Sequence, residues 1–130
     1  MRRMFLGLRT VIYPAPDLEA AKTWYTRLLG FGPYFDEPFY VGFSVAGYEL
    51  ALDPDGSVEQ GPVTYWGVSD CDAAWERLLN AGATALEPVR EVGGGIRVAS
   101  VTDPSGNVVG IIENPHFMLP QTPASPGPGR

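Results

Sequence analysis

"PDLEAAKTWYTRLLGF" at residues 16–31 and "VSDCDAAWERLLNAGA" at residues 68–83 are one pattern written twice. In each, an aspartate (Asp17 or Asp70) stands just before an apolar-periodic run, where the orphan amides of a helix start favour a carboxylate. In each, a glycine (Gly30 or Gly82) follows the run and suits the turn that ends a helix. Leu18, Ala21, Tyr25 and Leu28 recur at helical spacing, as do Ala74, Leu78 and Ala81. The spacing predicts two amphipathic helices about fifty residues apart.

Strand candidates surround both helices. Leu8–Tyr13 precedes the first and Val63–Val68 the second. Phe39–Val45 and Tyr48–Leu52 follow the first, with a weaker strand around Tyr34. Ala85–Pro88, Arg97–Thr102 and Asn107–Ile112 follow the second. The order β-α-β-β-β therefore occurs twice. Neither half could bury its sheet alone, so the two belong to one α+β domain over residues 1–119. Module one runs over about 5–55 and module two over about 60–117. Residues 120–130 are rich in Pro, Gly, Ser and Ala and are expected to be a disordered tail.

Composition narrows the function classes. The chain has 130 residues and a net charge of −6, which argues against a nucleic-acid partner. It holds no apolar run near the roughly 18–20 residues of a membrane span, and the apolar start breaks at Arg9 before a signal-peptide core forms. A cytoplasmic protein is expected. One cysteine, Cys71, excludes an internal disulfide and a cysteine-based zinc site. It falls in the first turn of the second helix and reads as a small buried hydrophobe. "GGGI" at 93–96 opens no helix and reads as a hairpin connection rather than a phosphate cradle. His116, the single histidine, follows Pro115 beyond the last strand and reads as a packing residue.

The stretches "PDLEAAKTWYTRLLGF", "YELAL", "VSDCDAAWERLLNAGA" and "VTDPSGNVVGIIENP", in that order, resemble the vicinal oxygen chelate superfamily. That superfamily includes glyoxalase I, bleomycin-resistance proteins and extradiol dioxygenases. The resemblance implies paired βαβββ modules forming a curled mixed sheet around a cavity, in a homodimer. It also implies four metal-ligand positions, which carry over here to Thr10, Glu49, Val63 and Gly110. Of these only Glu49 is a good ligand for a divalent ion, and such a site needs several. No metal and no other cofactor is expected. Glyoxalase, epimerase, extradiol-cleaving and thiol-transferring chemistry, which use the ion as a Lewis acid, are disfavoured. Strand alternation turns Glu113 away from the face of Gly110, so Glu113 does not replace the missing ligand.

Alternation also names the expected cavity wall. If Glu49 faces inward, Gly47 and Ala51 accompany it; Thr10 brings Leu8 and Ile12, and Val63 brings Tyr65. Phe43 and Ser100 are further candidate liners. The segment "PYFDEPFYVGF" supplies Tyr34, Phe35, Phe39, Tyr40 and Phe43, a wall or lid for a flat ligand. The expected ligand-binding set is Thr10, Ile12, Phe39, Phe43, Glu49, Tyr65, Ser100 and Gly110. The function read from this is metal-free binding of a small organic molecule, planar or cationic, with drug sequestration and antibiotic resistance as the nearest example. The alternative is a lyase, isomerase or dioxygenase that uses Glu49 as a base or a metal site placed elsewhere.

Overall fold

The computed structural model describes residues 4–118. The expected tail, 120–130, lies outside the described residues. Ten elements follow in chain order: β1 (Gly7–Pro14), α1 (Leu18–Leu29), β2 (Phe35–Glu37), β3 (Tyr40–Val45), β4 (Tyr48–Asp53), β5 (Val63–Gly67), α2 (Cys71–Asn80), β6 (Thr84–Gly93), β7 (Ile96–Thr102) and β8 (Val108–Glu113). The doubled β-α-β-β-β order of the sequence is present in full.

The caps form as the aspartates suggest. Asp17 accepts a 3.1 Å hydrogen bond from the Ala20 amide, and Asp70 accepts one of the same length from Ala73. Gly30 ends α1 in the left-handed conformation, with φ 85°. α2 instead ends on Ala81 in a right-handed turn, and Gly82 follows with φ 105°. The second helix start has an additional acceptor: Glu113 takes the Cys71 amide at 2.9 Å.

All eight strands join one sheet in the order β2-β3-β4-β1-β5-β8-β7-β6. β1 pairs parallel with β4, and β5 pairs parallel with β8. β1 and β5 zip the modules together antiparallel within the same chain. Both helices cover the same face of this curled sheet, each with its own core. Tyr25 and Leu18 of α1 pack near buried Val41, Phe43 and Leu52. Cys71 and Ala74 of α2 pack on Ala99 and Ile111, with Trp75, Leu78 and Phe5 alongside. The opposite, concave face carries the polar side chains described below.

Two sequence expectations change at the sheet. Phe43 is fully buried in the α1 core, with its ring 6.4 Å from that of Tyr25, and does not line the cavity. Its partner across the ladder is Leu50, which packs in the same core, so its phase is that of the helix face. Leu8 leaves the predicted face because β1 contains a bulge between Leu8 and Thr10. Leu8 pairs with Trp66, whose ring stacks on Phe5 at 5.3 Å, whereas Thr10 pairs with Tyr65. The extra residue, Arg9, then reaches over Gly67 on the concave side.

Candidate functional site

Register alone draws one row across the concave face. Ser44 pairs with Glu49, Glu49 with Thr10, Thr10 with Tyr65, Tyr65 with Gly110, and Gly110 with Ser100. Directly paired residues point the same way, so these six share a face. The expected fourth position, Val63, pairs with Ile12, one step along from the row, because the row crosses β5 five residues before Asp70 whereas it crosses β1 seven residues before Asp17. Tyr65 stands where Val63 was expected. Ile12 also pairs with Ala51 and lies in the neighbouring row.

Glu49 is the centre of the row's first half. Its Oε1 accepts from the Thr10 hydroxyl at 3.1 Å and from the Tyr40 hydroxyl at 2.9 Å. Its Oε2 accepts from the Tyr34 hydroxyl at 2.5 Å. The carboxylate can bend into this position because Gly42 lies beneath it. A Cβ on Gly42 would stand 2.5 Å from Oε2 and 3.2 Å from the Tyr34 ring. Tyr40 and Tyr34 both hold their protons more tightly than a free phenol, through burial of the hydroxyl end and the adjacent Glu49 charge. Both therefore remain donors to the carboxylate. Tyr34 and Tyr40 were read from the sequence only as an aromatic wall, and no spacing rule signals that their hydroxyls meet on Glu49.

The second half of the row is filled differently. The Tyr65 ring lies over Gly110, so close that a Cβ there would meet Cδ2 at 2.6 Å and Cε2 at 2.8 Å. Burial raises the Tyr65 phenol, which also feels Glu87 and Arg90 from β6. Ser100, beside Gly110, is only 3% exposed. Phe39 sits at the rim, 62% exposed, with its ring edge-on to Phe35 at 6.1 Å. At the other end of the face the Arg9 guanidinium stacks on the Phe117 ring, 3.8 Å from its centroid. Burial lowers the Arg9 pKa from its ordinary range.

Several further expectations can be placed. Glu113 points to the helix side, where it caps α2. His116 sits against the Gly94 carbonyl at 2.8 Å, fastening the turn of the β6–β7 hairpin that "GGGI" forms. Cys71 is fully buried beneath α2, and burial pushes its thiol up to about 11. A separate cleft of about 580 Å³ lies on the helix side, between the start of α1 and residues 58–62. Its lining, including Tyr13, Tyr25, Leu52 and Val58, is apolar, and it holds none of the row's residues.

The Glyoxalase/Bleomycin resistance protein/Dioxygenase superfamily model matches residues 7–111, which is most of the domain. The chain belongs to this superfamily. Among curated proteins, "Putative glyoxylase CFP32" of Mycobacterium bovis and of Mycobacterium tuberculosis are each 34% identical over 107 residues. The match takes in 73% of this chain but 41% of each relative, so the chain spans about two fifths of their length. Methylmalonyl-CoA epimerase from M. tuberculosis superposes with a TM-score of 0.68 at 24% identity, covering 87% of this chain and 91% of that one. The Mn(II)-bound glyoxalase from Novosphingobium aromaticivorans gives 0.71 at 17% identity, covering 93% of this chain and 43% of that one. A superfamily member from Vibrio splendidus gives 0.64 at 18% identity, covering 82% and 99%. These three share the fold.

The superfamily's metal does not fit this donor set. The four central positions hold Thr10, Glu49, Tyr65 and Gly110. Glu49 is already bound by three hydroxyls, Gly110 has no donor, and the Tyr65 ring fills the space above it. Among the described residues no three His, Cys, Asp or Glu side chains gather into a group that could hold an ion.

Proposed function

We propose that this chain is a small-molecule-binding member of the superfamily that works without a metal, holding its ligand on the concave face at Glu49. One observation carries the reading: a carboxylate fixed by three hydroxyls on the concave face, with aromatic rings around it. Aromatic surface with a few convergent polar groups is the usual composition of small-molecule sites. The mode that fits is sequestration, with drug binding and resistance as its nearest functional example, in a cytoplasmic homodimer. No helix among the described residues is long and apolar enough to cross a membrane.

A thermal-shift screen of the full chain against planar and cationic drugs tests this. A ligand at 100 times its Kd is expected to add about 2.7 kcal/mol of stability, and Glu49→Gln is expected to abolish the shift. Elemental analysis of the purified protein tests the other half. Stoichiometric Zn, Ni, Mn or Fe would overturn the metal-free reading.

The enzymes among the similar structures, a methylmalonyl-CoA epimerase and a glyoxalase, favour a second reading in which Glu49 acts as a base. The three hydroxyls leave one lone-pair site on Oε2, where a substrate proton would be received. Turnover of a substrate that Glu49→Gln abolishes while binding persists would replace the sequestration reading with this one.

A further inference from the structure

We infer that the Glu49 site takes an organic ammonium ion with N–H donors, and that it discriminates against neutral and anionic analogues of the same shape. The inference rests on the binding reading above and adds the chemical class of the ligand.

The hydrogen bonds at Glu49 account for every hydroxyl proton of the cluster. An ionised carboxylate only accepts, so each of the three hydroxyls in contact with Glu49 spends its single proton on it. What then remains on Thr10, Tyr34 and Tyr40 is oxygen lone pairs. Glu49 adds one unfilled site on Oε2. The cluster therefore presents acceptors alone: one carboxylate oxygen and three hydroxyl oxygens. A ligand carbonyl, carboxylate or phosphate would find no proton there, and an anion would also meet the Glu49 charge.

Among the described residues the charge has no cationic partner: no Lys, Arg or His lies within 4.0 Å of Glu49, and the ion pairs found there involve other carboxylates. Arg9, on the same face, has its guanidinium committed to the Phe117 ring. Lys22 pairs with Glu19 and Asp36. A half-buried carboxylate without a cation is a place where a bound cation contributes more than at an open surface. Tyr34 and Tyr40 reach the same carboxylate with their hydroxyls, and Tyr65 stands beside Thr10 in the next strand. Their rings supply aromatic surface around the carboxylate for the organic part of the ligand.

The test uses the full chain and three probes of one shape: 2-phenylethylammonium, 2-phenylethanol and 3-phenylpropanoate, with binding read by calorimetry or ligand-detected NMR. The ammonium is expected to bind at least about tenfold more tightly than the alcohol, the fold-change of a charge-assisted hydrogen bond, and the carboxylate is expected not to bind. Benzyltrimethylammonium, which has charge but no N–H, is expected to bind several-fold more weakly than the primary ammonium. Glu49→Gln is expected to erase the preference for the ammonium over the alcohol. The comparison of probes on the unmodified protein stands even if that variant fails to fold.

Equal binding of alcohol and ammonium, or preferred binding of the carboxylate, overturns the inference and leaves the small-molecule reading intact. Equal binding of the quaternary and primary ammonium overturns the requirement for N–H donors. If none of the four probes binds and a broad screen of neutral and anionic compounds also yields nothing, the inference and the binding reading both fall.

Discussion

Modules one and two are the same βαβββ unit, yet the register position that holds Glu49 in one holds Gly110 in the other. Each module has a glycine under a concave-face side chain, but to opposite effect. In module one Gly42 makes room for a carboxylate and its hydroxyl partners. In module two Gly110 makes room for the Tyr65 ring, which closes the position. The helix-side cores stay alike while the concave faces differ. Fold and chemistry therefore sit on opposite faces of one sheet and can change independently.

The largest effects should come from the face that the modules share in kind. Phe43→Ala empties the α1 core and should cost about 3–5 kcal/mol, and Ile111→Ala under α2 about 2–5 kcal/mol. Urea unfolding checks both. Each variant should still unfold in a single transition, because β1 and β5 join the modules into one sheet. A two-step curve in either variant would show that the modules are separate cooperative units.

The next contrast concerns the closed position. Gly110→Ala pushes a methyl into the Tyr65 ring and should destabilise by about 1–3 kcal/mol. In a Tyr65→Ala background the same change should cost nothing or stabilise, since alanine suits a strand better than glycine. Additive costs in the double-mutant cycle would show that the ring is not what requires glycine there.

The helix starts offer a finer comparison. Asp17→Ala should cost about 1 kcal/mol by removing the cap of α1. Asp70→Ala should cost less, because Glu113 still accepts the Cys71 amide at the second helix start. Equal losses in thermal melts would remove any role for Glu113 as a second cap.

A last contrast is a pH dependence that the second helix start adds. Leu18 of α1 matches Cys71 of α2, and only the thiol titrates. The thiol is pushed from 9.0 to about 11 in the fold, so the unfolded chain loses its proton first. Stability should therefore fall as pH rises from about 9 towards 11, and Cys71→Ala should reduce that slope, the remainder arising from the raised phenols of Tyr34, Tyr40 and Tyr65. Below pH 9 a thiol reagent should react with the native protein only as fast as it unfolds.

Much of the architecture was legible in the chain. The doubled helix pattern, the aspartate caps and the strand order all formed as read, because they depend on local propensity and apolar period. The strand around Tyr34 appears as β2, and the expected Ala85–Pro88 strand extends to Thr84–Gly93. Glu113 was correctly turned from the cavity by alternation, since β8 runs without a bulge. Alternation failed at β1. Nothing in "GLRTVIY" marks the extra residue that turns Leu8 away. Carrying the seven-residue spacing of Thr10 and Asp17 over to module two failed as well, because Tyr65, in the row, stands five residues before Asp70. Phe43 was misread because an aromatic run gives no phase: Tyr40 and Phe43 lie on opposite faces of β3.

The sequence by itself determined the two modules, their caps and their helix faces. These follow from short-range geometry and residue chemistry. Only the tertiary structure decided that Thr10, Tyr34 and Tyr40 meet on one carboxylate, and that the Tyr65 ring covers Gly110. Those contacts join residues from β1, β3, β4, β5, β8 and the approach to β2. Their meeting depends on register and two close approaches over glycine, neither of which a local pattern encodes.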